Sequence, residues 1–146
     1  MNSKSKRLLA VARLAALREQ QQLARASAAR AAMERQLGAY DQLEAYRKDH
    51  LGASRQGIHA VSSLANATRF LQDIASAARV QEARLDAAQQ AWRVEQSGWE
   101  QLHAKRQRLE DWVAQAKKEE DRQREKSQQQ DAEESWLAQH QPGRQR

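Results

Sequence analysis

The chain has 146 residues, a formal net charge of +6 and no cysteine, which bounds it to one ordinary domain and removes disulfide frameworks, thiolate zinc sites and cysteine nucleophiles. Leu, Ile, Val and Phe supply only 22 residues against 28 alanines, so a thick globular core is excluded. Ala, Glu, Lys, Leu and Arg make up 79 residues, Val, Ile and Thr only eight, and the single proline is Pro142, so the fold class is all-α, built from long helices without a sheet.

The first helix reads from about Ser3 to His50. Its opening third is basic: Lys4, Lys6, Arg7, Arg13, Arg18, Arg25 and Arg30 stand against Glu19 alone, so residues 1–30 carry the whole net charge. The apolar stretch that follows Arg7 is interrupted at Arg13, and no run of about 18 apolar residues occurs anywhere, so neither a signal-peptide core nor a membrane span is expected. An Arg-rich, acid-poor start also describes an organellar transit peptide, but the helical pattern continues without a break at a cleavage point. Farther on, a weak seam can be traced through Leu23, Ala26, Arg30, Met33, Leu37, Tyr40, Glu44, Arg47 and Leu51.

Residues 51–62 read as the turn. Gly52 suits the left-handed residue that closes a helix, and Ser62 or Ser63 is the expected cap of the next one. The second helix, about 63–138, carries the strongest period in the chain. Steps of three and four from Leu71 meet Ile74, Ala78, Gln81, Leu85, Ala88, Trp92, Glu95, Trp99, Leu102, Arg106, Leu109, Val113 and Ala116, eleven of fourteen positions being apolar. A repeat of 3.5 residues held this long predicts a coiled coil. Two helices joined by a short connection pair antiparallel, which gives a hairpin. Its stability is expected to lean on the large seam residues Leu71, Leu85, Trp92, Trp99, Leu102 and Leu109. Beyond Ala116 the run KKEEDRQREKSQQQDAEES is polar on every face, so the second helix should overhang the first, followed by a disordered tail over 139–146.

Chemistry is sparse. Phosphate-cradling glycine motifs, nucleophile elbows and zinc-protease motifs are missing. His50, His59, His103 and His140 are dispersed and read as solvated helix residues, and a two-helix seam offers no enclosed pocket for acid or base work. No catalytic residue, cofactor or metal is expected. Trp112 and Trp136 lie off the seam and are candidates for contact with another protein. Tyr46 and Phe70 flank the turn, where the hairpin should bring them together as a plug or a binding patch. The basic end suits an acidic protein or an anionic surface. Nucleic acid is disfavoured, because residues 1–30 have no aromatic platform.

Several short motifs, taken in order, resemble the FliJ family of flagellar type III export proteins over nearly the full length. Tyr46-Arg47 ends the first helix, Gly57-Ile58 stands in the loop, and Phe70-Leu71 opens the second seam. Trp99 then precedes KRQRLEDW at 105–112, where Lys105, Leu109 and Trp112 match a run of basic residues, Leu and Trp. EESW follows at 133–136. The resemblance implies a non-enzymatic antiparallel coiled coil that looks like the stalk of a rotary ATPase. It would serve flagellum biogenesis and motility from the cytoplasm, peripherally at the inner membrane. The implied partners are the hexameric flagellar export ATPase, a transmembrane export gate protein and export chaperones, with no nucleic acid and no small-molecule substrate. On this view Tyr46, Phe70 and Ile74 contact the gate, and Arg13, Arg18 and Arg25 contact the ATPase. Injectisome stalk proteins share the architecture and length, and a basic nucleic-acid-binding coiled coil is the alternative of another class.

Overall fold

A computed structural model describes residues 2–57 and 61–140, with backbone alone in 53–57 and 61–63. The protein is all-α. Helix α1 (Ser3–Gly57) and the longer α2 (Val61–Gln139) pack antiparallel. The expected loop residue Ile58, the tail 141–146 and the side chains of Ser62 and Ser63 lie outside the described residues.

Helix α1 starts at a side-chain cap. The Asn2 carboxamide oxygen accepts the Ser5 backbone N–H at 3.0 Å, and the Lys6 N–H donates to the Asn2 carbonyl at 3.1 Å. Asn is among the best residues for this position because its short side chain reaches a backbone donor that the helix itself leaves unpaired. The other end differs from the sequence expectation. The turn does not begin at Leu51: α1 continues through Gly52 to Gly57, and α2 is already helical at Val61. Among the described residues no glycine has a positive φ, so Gly52 is an interior helix residue rather than a cap. The helical pattern wins there because its local cost is small, roughly 1 kcal/mol for glycine in place of alanine.

The contacts divide the chain into two units. In the first, Met1–Glu19 packs with Gln101–Arg146, and its core is Ala12, Ala15, Leu109 and Val113 with Leu8 and Leu9 partly buried against it. The second, Gln20–Glu100, buries Ala26, Ile74, Ala78, Gln81 and Leu85. Both are thin, since alanine permits close approach of the helices but removes little apolar area from water.

Along α2 each seam position from Leu71 to Ala116 is buried or half-buried, and Glu120 extends the series. The seam of α1 follows only part of the series expected from its apolar residues. Buried and half-buried residues step through Ser5, Leu8, Ala12, Ala15, Glu19, Gln22, Ala26, Ala29, Met33, Gln36, Tyr40, Leu43, Arg47 and His50. Leu23 and Leu37 are exposed at 47% and 39%, and Arg30 is exposed as well. Three of the nine expected positions are therefore one residue out, with Gln22, Ala29 and Gln36 in the places assigned to Leu23, Arg30 and Leu37. Glutamine displaces leucine at these positions because α2 offers it hydrogen-bond partners.

Two measurements check these placements. Gly52 and Gly38 have open space where a Cβ would stand. G52A and G38A should therefore each raise unfolding free energy by about 0.5–1 kcal/mol in urea titration, whereas a left-handed Gly52 would make G52A destabilising. Leu85 is 8% exposed, so L85A should lower stability by about 2–5 kcal/mol.

Candidate functional site

Nothing among the described residues groups three or more metal-ligating side chains, and no helix is long and apolar enough to cross a membrane. The described residues do make polar contacts across the seam and aromatic contacts around Tyr46 and Trp136.

The densest polar contact is in the first unit. Glu19, on the inner face of α1, receives two groups of α2. The His103 Nδ1–H donates to Glu19 Oε1 at 2.7 Å, and the Arg106 Nε–H donates to Glu19 Oε2. Arg106 also pairs with Glu110 at 2.9 Å along its own helix. The Glu19 side chain is only 12% exposed, so its carboxylate is held where water reaches it poorly and its charge must be met by neighbours. The hydrogen bonds from His103 and then Arg106 lower its pKa below the usual 4.5. Nearer the terminus, Glu120 accepts the hydroxyl of Ser5, a residue 1% exposed, and the Asn2 N–H at 3.0 Å. The Ser5 bond, followed by that of Asn2, lowers the Glu120 pKa as well. A carboxylate at this position also faces the positive end of the α1 dipole.

Two glutamines do equivalent work in the second unit. Gln22 Nε2 donates to the Glu95 carbonyl at 3.0 Å and to its carboxylate at 2.5 Å. Gln81, 7% exposed, donates to the Gln36 carbonyl at 3.2 Å and to its side-chain oxygen at 2.6 Å. Gly98 makes room for the first pair: a Cβ there would lie 3.0 Å from Gln22 Nε2. Arg30, outside the seam, spans the Trp92 ring with its guanidinium carbon 5.9 Å from the ring centre. That contact covers an indole which the alanine-rich seam leaves half-exposed.

Tyr46 and Phe70 meet edge to face with ring centres 5.8 Å apart, and His50 lies 4.1 Å from Phe70. Tyr46 remains 55% exposed while Phe70 is half-buried. Ile74 does not join them at the surface. It is 6% exposed, a seam residue on the inner face of α2, and offers nothing to a partner. Arg13, Arg18 and Arg25 are all exposed on α1. Of the large seam residues, Leu85 and Leu109 are buried, while Leu71, Trp92, Trp99 and Leu102 are half-buried.

Two histidines, His50 and His103, depart from the solvated reading, whereas His140 is exposed. His103 is bonded to Glu19, and His50 lies tilted against Phe70 and stacked with Tyr46. His140 lies 4.4 Å from the Trp136 ring centre and donates from Nδ1 to its carbonyl at 2.9 Å. His59 lies outside the described residues. Sequence reasoning passed over Glu19, Gln22 and Gln36 because it counted apolar residues. The usable signal was in α2, where Gln81, Glu95 and Arg106 interrupt an otherwise apolar seam.

Because the folded state lowers the pKa of Glu19 and Glu120, their stabilisation is complete above the ordinary carboxylate range and is lost as pH falls through the depressed values. Melting temperature should therefore decline between about pH 5 and pH 3, and E19Q should melt lower near neutrality with a flatter decline, followed by circular dichroism. An unchanged slope in E19Q would assign the acid sensitivity to other carboxylates.

The chain matches no known family profile, no curated protein and no solved structure.

Proposed function

We propose that the protein is a non-enzymatic component of a bacterial type III export apparatus of the flagellar kind, a coiled-coil factor that links the hexameric export ATPase to the export gate and engages export chaperones. The observation that carries this reading is a division of labour along α1. A cation-rich stretch, with Arg13, Arg18 and Arg25 exposed, occupies its first unit and the adjoining turns. A partly exposed aromatic cluster of Tyr46, His50 and Phe70 lies in the second.

The two surfaces have different chemistry. Exposed charges contribute little to affinity pair by pair, but a cluster of one sign steers encounter with an oppositely charged ring and leaves the helix free to turn against it. An exposed tyrosine backed by two further rings is a rigid apolar anchor of the kind that concentrates binding energy in a protein interface. The antiparallel hairpin and the order of the sequence motifs, from Tyr46-Arg47 through KRQRLEDW to EESW, support the same reading. Ile74 is left out of the gate contact because it has no surface to offer.

Pull-down from cell extract tests the assignment. Recovery of a hexameric ATPase with a membrane export gate is the expected result, and strongly salt-dependent retention of DNA would overturn it in favour of nucleic-acid binding. Two variants separate the surfaces. Reversing Arg13, Arg18 and Arg25 to Glu should slow association with the ATPase and weaken its stimulation at low salt, with gate binding intact. Tyr46→Ala should weaken gate binding and secretion with little change in melting. A triple variant that stimulates the ATPase as well as the parent would reduce the basic stretch to a solvated face.

A further inference from the structure

The outer face of α1 in the first unit carries an apolar stripe that its own hairpin does not cover. Val11, Leu14 and Leu17 are 47%, 47% and 51% exposed. Leu14 and Leu17 lie on the side away from Ala12 and Ala15, which are buried against α2, and Val11 lies at the flank beside Ala15. Arg7, Arg13 and Arg18 border the stripe. The one acid within residues 1–30, Glu19, is turned inward and held by Arg106. The outer face is thus apolar along its middle and basic along both edges.

The same unit contains a surface of the inverse character. From Asp121 to Leu137 every residue of α2 is exposed. Its last turns carry Asp131, Glu133 and Glu134 and, from Ser127 to His140, no Lys or Arg. Trp136 and Leu137 are 58% and 54% exposed. They line a shallow surface depression with Gln129, Ala132 and Glu133. His140 stacks on the Trp136 ring and fixes its outer edge.

We infer that the end of α2 docks on the outer face of α1 of a second copy of this chain, with Trp136 and Leu137 seated on the stripe of Leu14 and Leu17, and Glu133 and Glu134 among the bordering arginines. Charge complementarity selects this occupant. An anionic lipid surface would attract the arginines but repel the acidic turns that carry the exposed Trp136. A second copy satisfies both surfaces at once. The contact is also self-complementary, so a two-fold axis makes it twice. Lengths agree: the 19 residues beyond Glu120 up to Gln139 span about 28 Å, enough to lie along the stretch from Lys4 to Arg18, about 21 Å. A single helix-on-helix contact of this size falls short of the roughly 1,200–2,000 Å² of a stable interface. Two related by symmetry approach it, which makes the dimer salt-sensitive and reversible. The inference concerns the chain alone and does not rest on the export reading.

The absence of cysteine from the sequence gives a direct test on the full chain. L14C and W136C are prepared separately, mixed at low salt and oxidised. A disulfide joining one variant to the other is expected, and it should disappear at high salt. Sedimentation equilibrium of the parent should show a monomer–dimer equilibrium that weakens with salt. R7E/R18E should reduce self-association about tenfold, and adding E133R/E134R to the same chain should restore it. All six positions are exposed, so helicity should be unchanged throughout, as circular dichroism would verify. A parent that stays monomeric at its highest soluble concentration would overturn the inference. So would a dimer that lacks the L14C to W136C cross-link, or a charge reversal without rescue. Binding of the monomeric parent to phosphatidylserine vesicles, unaffected by W136A, would assign the stripe to lipid instead.

Discussion

An alanine-rich seam lets two helices approach closely but says little about how one is placed along the other. Leucines at regular spacing fill holes of one size, and a helix of alanines can slide by a heptad with small loss of buried area. Register in this hairpin is carried instead by hydrogen bonds across the seam: Gln36 with Gln81, Gln22 with Glu95, Glu19 with His103 and Arg106, and Ser5 with Glu120. Sliding α2 past α1 would leave those groups facing methyls, and a polar group taken from water without a partner opposes such a shift. The apolar contacts supply adhesion, and the polar ones select a single alignment.

That division explains which parts of the structure were legible in the sequence. The strong seam of α2 could be read because its large residues follow a 3.5-residue period, and each position so identified is at least half-buried. In α1 the apolar spacing points Leu23 and Leu37 inward, although both are exposed. Glutamine and leucine are not distinguishable as inward residues unless the facing helix is considered at the same time. The polar interruptions at Gln81, Glu95 and Arg106 each face a polar residue of α1, so matching interruptions across helices would have found the true register. Gly52 was misread for a related reason. Glycine as a helix stop is a local preference, and the tertiary cost of ignoring it here is small.

The candidate surfaces were unevenly legible. The cationic stretch of α1 is visible in composition alone, and the meeting of Tyr46 with Phe70 follows from any hairpin that turns between them. The 3.5-residue period already separates Ile74, which lies on it, from Phe70, which does not, and only the resemblance assigns Ile74 to a partner contact. Four residues amount to slightly more than one helical turn, and the small angular offset between them places Ile74 in the seam and Phe70 at its margin. His103 gave no local sign of its role, because its partner Glu19 lies 84 positions away in the chain.

The exposure of α2 from Asp121 to Leu137 has a dynamic consequence. Its described ion pairs, such as Glu119 with Arg122 and Asp121 with Arg124, join groups on the same helix at long distances of 3.8 and 3.9 Å. They give only tenths of a kcal/mol each and tie the helix to nothing else. Backbone amides before Glu120 can exchange with solvent only when α1 and α2 separate, whereas those after it need only fraying of a solvated helix. Hydrogen-exchange protection along α2 should therefore fall steeply near Glu120, and Ser5 with Asn2, by gripping that residue, sets the boundary between a cooperative folding unit and a segment that acquires its rigidity from whatever it binds.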